Sequence, residues 1–148
     1  MKRRWGTILQ YRITDWDNAY ANGINIAKGE RWPDAWVEPA RAYREESNAQ
    51  GRAKLDLAYG QKPRNTMDIF YPSKTALGLV VFVHGGFWVA LDKSYWSHFA
   101  KGAVERGYAV AMPSYTLAPE ARIGEIAVEV ARAIEVAAGQ VGGPIYLM

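Results

Sequence analysis

Two adjacent glycines follow an apolar run and precede two aromatic residues, in the order His84-Gly85-Gly86-Phe87-Trp88. Glycine lets a backbone turn tightly and brings amide N–H groups close to a ligand with no Cβ in the way. Fixed N–H donors at the carboxyl end of a parallel strand suit an oxyanion, the charge that develops during acyl transfer. A plain Gly-Gly turn flanked by core aromatic side chains explains the same residues, so the segment alone leaves both interpretations open.

Composition narrows the possible chemistry. The 148 residues include two histidines, His84 and His98, and no cysteine. Disulfides, thiolate zinc sites, a cysteine nucleophile and a multi-histidine metal site within one chain are therefore excluded, whereas carboxylate metal sites remain open. Because the sequence offers no cluster of metal ligands and no glycine-rich phosphate loop, we predict neither a metal nor a cofactor.

The elements that must position the glycine pair alternate between strand and helix. Residues 79–83 are apolar throughout and mostly β-branched, which predicts a strand covered on both faces in the middle of a sheet. Apolar periodicity predicts a helix over residues 94–106 and another over residues 123–134, with Glu129 on the polar face of the second. A further buried strand is predicted over residues 108–112.

A hairpin is predicted upstream of these elements. Residues 55–59 and 67–71 form two short strand-like runs joined by a loop that contains Gly, Pro and Asn. This pattern predicts an antiparallel hairpin at a sheet edge. Asp68 is expected to be a solvent-facing or turn-bracing carboxylate.

Two helices are predicted before the hairpin. The first, over residues 17–27, is weakened by a glycine in its middle. The second, over residues 34–50, has Asp34 as its N-cap and Pro39 in its first turns, where proline is tolerated. One face of the second helix is apolar, so we expect it to lie on a larger body.

The order of these elements predicts an α/β fold whose last three strands are parallel, with right-handed crossovers. The composition changes near Gly51, which divides the chain into a helical segment at 1–50, packed on the core, and an α/β core at 51–148. The last predicted strand begins at Ile145, and its apolar edge at 145–148 is open to pairing with another strand or a second copy. The sheet therefore has the pattern of an unfinished domain.

Charge and hydropathy exclude two classes of partner. The formal net charge is +3, and the only tight basic run lies at residues 2–4. Elsewhere cations and anions are interleaved as on a solvated helix face, so we predict no nucleic-acid partner. No apolar run approaches the roughly 20 residues that a membrane span requires, and no apolar signal-peptide region follows the basic start. We predict a cytoplasmic protein that does not associate with membranes.

Three segments together resemble the α/β-hydrolases of the esterase/lipase group. The first is His84-Gly85-Gly86-Phe87-Trp88, which fits the His-Gly-Gly-x-Trp form typical of kynurenine formamidase-like enzymes. The second is Tyr115-Thr116-Leu117-Ala118-Pro119-Glu120, and the third is the hairpin segment Asp68-Ile69-Phe70-Tyr71-Pro72. The resemblance covers about residues 55–148.

The resemblance implies roles for several residues. It implies that the backbone N–H groups of Gly86 and Phe87 form an oxyanion hole, with a third donor from the residue after the nucleophile. It also implies that His84 and Gly85 support the loop and that the catalytic histidine comes later in the chain. The substrate-pocket candidates are Trp88 and Tyr115.

One part of the family pattern is missing. No serine of the chain lies in a Gly-x-Ser-x-Gly motif, and the resemblance implies that nucleophile, acid and catalytic histidine follow the strand that begins at Ile145. We therefore predict the N-terminal half of a serine hydrolase of small acyl esters or aryl amides, truncated before the nucleophile elbow and inactive by itself. The alternative is a non-enzymatic interaction or ligand-binding domain that keeps the front half of the fold.

Overall fold

The computed structural model describes residues 12–148, so the basic run at residues 2–4 lies outside the described residues. Contacts divide the chain into two compact units, with the division between Trp32 and Pro33. The second unit contains the whole sheet together with most of the helix that precedes it. The domain boundary predicted near Gly51 stays a prediction.

The described part of the first unit holds two short helices where the sequence predicts one over residues 17–27. The first, α1 (Trp16–Tyr20), ends at Ala21, whose backbone leaves the helical region. The second, α2 (Asn22–Asn25), follows directly, and the side-chain amide of its last residue donates to two preceding carbonyl oxygens. A polar side chain that binds backbone groups in this way competes with the helix, which explains the interruption. A 3-10 turn follows at Gly29–Arg31.

The long helix α3 (Trp32–Ala49) confirms the second predicted helix but not its start. Asp34 lies within the first turn, so its predicted position as the N-cap is wrong. Pro39 lies in the helix interior, beyond the first turns where it is predicted. The buried residues Ala40 and Ser47 are two helical turns apart, and they mark the face that is turned away from solvent.

Five strands form one sheet, namely β1 (Ala53–Ala58), β2 (Thr66–Phe70), β3 (Leu79–Val81), β4 (Ala109–Pro113) and β5 (Ile145–Leu147). The spatial order is β1-β2-β4-β3-β5. β2 pairs antiparallel with β1 and β4, whereas β3 is parallel to both β4 and β5. The predicted α/β class, the edge hairpin and the three parallel strands are confirmed.

The connection from β3 to β4 is not the single helix predicted over residues 94–106. Two 3-10 turns, Lys93–Tyr95 and Ser97–Ala100, precede a short helix α4 (Lys101–Glu105). The break falls at Trp96, whose backbone leaves the helical region while its ring packs on a tryptophan of α3, with ring centres 4.6 Å apart. This tertiary contact overrides the helical periodicity of the sequence.

The sheet is covered on both faces over β2, β3 and β4. The helix α5 (Ile123–Ala138) confirms the periodic helix of the sequence and packs on one face, while side chains from α3 and α4 pack on the other. Alternate side chains of the central strands enter these two layers. The outer edge of β5 is different, because Leu147 there is 64% exposed.

Candidate functional site

Residues 84–91, which we call the glycine loop, follow β3 and contain a tight left-handed turn. Gly86, Phe87 and Trp88 have φ angles of 123°, 51° and 62°. The N–H groups of the two residues after Trp88 both donate to the Gly86 carbonyl oxygen, at 3.0 and 3.1 Å. A Cβ on Gly86 would lie 2.2 Å from the Ala90 carbonyl oxygen, so only glycine fits there.

The directions of two N–H groups in this loop are fixed by the carbonyls that precede them. In a trans peptide the N–H points opposite to the C=O of the preceding residue. The Gly85 carbonyl is held by His84 Nδ1 at 2.7 Å, which directs the Gly86 N–H away from that side chain. The turn holds the Gly86 carbonyl, which directs the Phe87 N–H outward. No backbone hydrogen bond among residues 12–148 uses either N–H, so both are available to an oxygen that carries negative charge.

His84 orients the loop from beneath. Its ring is buried and stacks on the Tyr115 ring, with centres 4.4 Å apart and planes 5° from parallel. Burial lowers the pKa of His84, and the hydrogen bond to Gly85 acts in the opposite direction. A neutral imidazole that faces a carbonyl oxygen carries its proton on the nitrogen nearest to it, so Nδ1 donates to Gly85. The support role implied for His84 stays a prediction.

The two side chains predicted to line a pocket are placed differently. Trp88 is 46% exposed, and the neighbouring Phe87 is 63% exposed, so both are accessible to a ligand. Tyr115 is 2% exposed and lies against His84, to whose carbonyl oxygen its hydroxyl donates at 2.8 Å. In this chain Tyr115 therefore supports the loop from the core and does not line an open surface. The pocket role of Trp88 stays a prediction.

The far end of the glycine loop is held by Arg64, a residue that the sequence analysis did not single out. Its guanidinium donates to the Leu91 carbonyl oxygen at 2.6 Å and to the Tyr115 carbonyl oxygen at 2.7 Å. In the middle of the loop, the Ala118 N–H donates to the Trp88 carbonyl oxygen at 2.8 Å. Arg64 thus joins the loop after β3 to the connection after β4, which comprises residues 114–122.

A buried ion cluster lies just beyond the loop. Asp68 is fully buried in β2, so its predicted place as a solvent-facing carboxylate is wrong. Its Oδ1 accepts from the Asp56 N–H at 2.9 Å and forms an ion pair with Lys93 Nζ at 2.8 Å. Lys93 is itself buried and also contacts the Asp56 carboxylate at 2.5 Å. Hydrogen bonding to Lys93, helped by the Arg44 charge, lowers the pKa of Asp56 despite partial burial.

The connection after β4 has a buried carboxylate of its own. Glu129 of α5 is buried, so its predicted place on the polar face is wrong. It accepts from the Thr116 N–H at 2.8 Å, the Thr116 hydroxyl at 2.9 Å and the Asn65 amide at 2.9 Å, and Lys62 Nζ lies 2.8 Å away. Burial acts to raise the pKa of Glu129, but these hydrogen bonds together hold it below its usual value.

Two kinds of feature are absent from residues 12–148. No group of three or more histidine or acidic side chains in that range could hold a metal ion. Within the same range, no helix is both long enough and apolar enough to cross a membrane. The predicted independence from a cofactor stays a prediction.

Comparison with known proteins points to one family. Residues 67–138, which contain the glycine loop, match the family model described as BD-FAE. A kynurenine formamidase of Drosophila melanogaster is 38% identical over 85 residues, 56% of this chain and 28% of that protein. An isoprenylcysteine alpha-carbonyl methylesterase of Arabidopsis thaliana is 30% identical over 105 residues, 66% of this chain and 25% of that protein.

A solved structure agrees with the fold over nearly the whole chain. A candidate thioesterase from Silicibacter sp. TM1040 superposes with a TM-score of 0.85 at 49% identity, over 88% of this chain and 49% of that one. The chain thus spans about half the length of this relative and a smaller share of the two curated relatives. The prediction of a partial α/β-hydrolase fold is confirmed. Residues 67–138 of the chain thus match the α/β-hydrolase esterase family described as BD-FAE, and kynurenine formamidases are among the relatives of the chain.

Proposed function

We propose that the whole protein hydrolyses small carboxylic esters or aryl amides through an active-site serine, and that this chain supplies the oxyanion hole. The observation that carries the proposal is the pair of unused, directionally fixed N–H groups at Gly86 and Phe87. The names of two relatives, a formamidase and a methylesterase, describe cleavage of an amide and of an ester. Both reactions pass through a tetrahedral intermediate that carries an oxyanion.

In the proposed mechanism a serine hydroxyl attacks the acyl carbon while a histidine base takes its proton. The carbonyl electrons move to oxygen, and the N–H groups of Gly86 and Phe87 bind the oxyanion that results. When the oxyanion collapses, the bond to the leaving alcohol or amine breaks, and the histidine donates its proton to that leaving group. His84 is not proposed as this base, because it is buried and its Nδ1 is bonded to the loop carbonyl.

The position of β5 suggests where the serine comes from. The Met148 N–H donates to the Val81 carbonyl oxygen at 2.9 Å, and the Val83 N–H donates to the Met148 carbonyl oxygen at 3.0 Å. Residue 148 therefore lies opposite Phe82, two residues before the glycine loop. We place the nucleophile in residues that follow β5 in the whole protein, as in α/β-hydrolases generally. The chain by itself is expected to show no measurable esterase activity.

Replacing single amides by esters tests the oxyanion hole directly. In the whole protein, exchange of Phe87 for its α-hydroxy acid removes one N–H donor and keeps the side chain. Loss of one oxyanion donor is expected to lower kcat by about 10²–10³ with little change in KM. The measurement is steady-state hydrolysis of p-nitrophenyl acetate and of an aryl formamide.

The matched control is the same exchange at Trp88, whose N–H is likewise unused among residues 12–148 but is not proposed as a donor. It is expected to leave kcat nearly unchanged. An equal loss at both positions, or none at Phe87, would contradict the proposal. Clear hydrolysis by the 148-residue chain alone would contradict the assignment of the nucleophile to later residues.

We propose that Phe87 and Trp88 form a wall of the acyl pocket. Both side chains are accessible; Phe87 presents one of the two proposed oxyanion donors, and Trp88 is the next residue. A bulky residue at Phe87, where many lipase-like relatives have glycine, narrows the space for the acyl group, which favours small or aromatic acyl substrates. Trp88→Ala is expected to raise KM for aryl amides more than for acetate esters. Equal changes in KM for both substrates would contradict the proposed pocket wall.

A second candidate function, an interaction domain, is favoured by the free edge of β5. Because Met148 donates its N–H to β3, the N–H of Leu147 faces the opposite, unpaired edge. We propose that the chain alone pairs with a second copy along residues 145–148. Leu147→Pro, which removes the outward N–H, is expected to yield monomers by light scattering, whereas Leu147→Thr keeps the dimer. A monomeric unmodified chain would exclude this pairing.

The cytoplasmic location and the absence of a nucleic-acid partner are proposals that rest on the sequence alone. The interleaving of cations and anions supports the second of them. Binding to a polyanion that falls steeply between low and moderate salt would contradict it.

A further inference from the structure

We infer that Asp68 and Lys93 position the glycine loop: the buried carboxylate of β2 holds the ammonium group of Lys93, two residues beyond the loop, and thereby fixes the left-handed turn. Both side chains are buried, and Lys93 Nζ lies 2.8 Å from Asp68 Oδ1. The value of this contact for catalysis rests on the proposed function, whereas the contact's effect on the loop does not. Neither residue touches the reacting atoms in the proposed mechanism.

The glycine loop needs such a tether because the side chains of its middle part do not pack in the core. Every side chain from Phe87 to Ala90 is exposed, so burial of apolar surface does not hold the turn in place. The turn also contains Phe87 and Trp88, two non-glycine residues with positive φ, a strained conformation that persists only where the surroundings enforce it. The enforcement must therefore come from polar contacts at the two ends and along the backbone.

Lys93 is suited to this task by both its backbone and its side chain. Its N–H donates to the Ser114 hydroxyl at 3.1 Å, and the Ser114 N–H donates to the Thr66 carbonyl oxygen at 2.9 Å. Its side chain then reaches Asp68, which lies beside Met112 of β4 in the middle of the sheet. The chain just after the loop is thus joined to the sheet.

Arg44 offers a contrast within the same cluster. Its guanidinium lies 3.2 Å from Asp68 Oδ2, but it belongs to α3 and its recorded ion pairs are with Asp56 and Asp68 only. Loss of either cation leaves Asp68 with one fewer partner, so both changes destabilise the fold. Only loss of the Lys93 contact also releases the loop. The two substitutions therefore separate positioning from general stabilisation.

Amide hydrogen exchange in the 148-residue chain tests the inference without any catalytic assay. The loop is reported by Val89, Ala90 and Ala118, whose N–H groups bond to loop carbonyls, and the sheet is reported by Ala109, whose N–H bonds to Gly78. Lys93→Met is expected to speed exchange of the loop amides about tenfold relative to Ala109. Arg44→Met is expected to leave that ratio unchanged.

A spectroscopic signature of the turn gives a second readout. A residue with positive φ has a short distance between its own amide and Hα protons, so Phe87 should show a strong intraresidue NOE. Lys93→Met is expected to weaken it, and Arg44→Met to preserve it. The double variant Asp68→Asn/Lys93→Met keeps an oxygen for the Asp56 N–H, leaves no unpaired charge at Asp68, and is expected to show the same loop effects if the single variant unfolds.

Two results would overturn the inference. One is a proportionate change in the exchange rates of loop and sheet amides in both single variants, because that result would indicate a structural role alone. The other is a preserved Phe87 signature in the folded double variant. Because no readout depends on hydrolysis, the tether can be confirmed even if the whole protein proves catalytically inert, and a failed tether leaves the oxyanion-hole proposal to its own test.

Discussion

The glycine loop after β3 and the connection after β4 contact each other, yet they differ in the exposure of their side chains and in the hydrogen bonding of their backbone N–H groups. In the glycine loop the side chains of Phe87 and Trp88 are exposed, and the N–H groups of Gly86 and Phe87 have no backbone partner among residues 12–148. In the connection, Ser114, Tyr115 and Thr116 are buried, and the Thr116 N–H is bonded to Glu129. The exposed turn is accessible to solvent, whereas these three residues of the connection pack within the protein.

The two segments also differ in backbone strain and in the contacts that each supplies to the other. Of these two segments only the glycine loop has non-glycine residues with positive φ. The connection supplies contacts that hold the loop, namely the Tyr115 hydroxyl on His84 and the Ala118 N–H on Trp88. A strained, ligand-facing segment is stable here because a relaxed neighbour enforces its shape.

The largest expected effect concerns the carboxylate behind the glycine loop. Asp68→Asn removes the negative charge that Lys93 faces in the protein interior, and breaking a buried pair in this way is expected to lower the free energy of unfolding by about 3 kcal/mol. Urea denaturation measures the change. The matched variant Asp56→Asn, at an exposed carboxylate, is expected to cost about 1 kcal/mol or less. Equal costs would show that burial of the cluster does not matter.

The carboxylate behind the connection is expected to give the next largest effect. Glu129→Gln places an amide NH₂ among groups that all donate, so we expect a loss of about 2 kcal/mol. Glu135→Gln, on the exposed part of the same helix, is the control and should be nearly neutral. A neutral Glu129→Gln variant would mean that the connection does not depend on its carboxylate.

Glu129 also predicts a pH dependence. Its folded pKa is held below the unfolded value, so its contribution to stability is present above the unfolded pKa and is lost as the pH falls through the folded pKa. The stability gap between the unmodified chain and Glu129→Gln should therefore shrink in acid. A gap that stays constant from neutral pH down into acid would contradict this assignment.

Backbone strain in the glycine loop should give a smaller effect with an unusual sign. Phe87→Gly and Phe87→Ala differ by one Cβ in a left-handed position, so the glycine variant is expected to be more stable by about 1 kcal/mol. At the exposed helical position Val128 the same pair should differ in the opposite direction by about 1 kcal/mol. Thermal denaturation of the four variants measures both differences. If alanine were the more stable residue at both positions, the turn would carry no strain.

The smallest effect is expected from the histidine beneath the loop. Because burial lowers the folded pKa of His84, stability should fall as the pH drops from about 6.5 toward that folded pKa, and level off below it. His84→Asn keeps a donor for the Gly85 carbonyl but does not titrate, so its stability should change less over this range. His98→Asn is the matched variant, since burial lowers that pKa as well. An undiminished pH dependence in His84→Asn would contradict the buried, neutral state.

The sequence predicted much of the sheet and little of what anchors the loop. Residues 79–83 and 108–112 predict buried strands, because a strand that is apolar on both faces is typical of a sheet covered on both sides. The glycine pair announced a tight turn for a similar local reason. The helix predicted over residues 94–106 failed because packing between Trp96 and α3 is invisible in local periodicity.

The anchors themselves could not be identified because each depends on a partner distant in the chain. Asp68 gives one faint signal, a charge between apolar neighbours of a strand, but nothing in the sequence connects it with Lys93. Arg64 looks like an ordinary loop cation until its two carbonyl partners are seen. Glu129 fits the polar face of a helix unless the neighbouring connection covers it.

The burial of Lys93 has a consequence for chemical labelling. Amine-reactive reagents acylate the lysines that they can reach, such as the exposed Lys54 and Lys101, while the Lys93 amine is enclosed by protein and engaged by two carboxylates. In the folded chain Lys93 should therefore be among the last lysines to be modified. Acylation of Lys93 would therefore report that its side chain has separated from the sheet, so the extent of this modification measures how often the ion cluster opens.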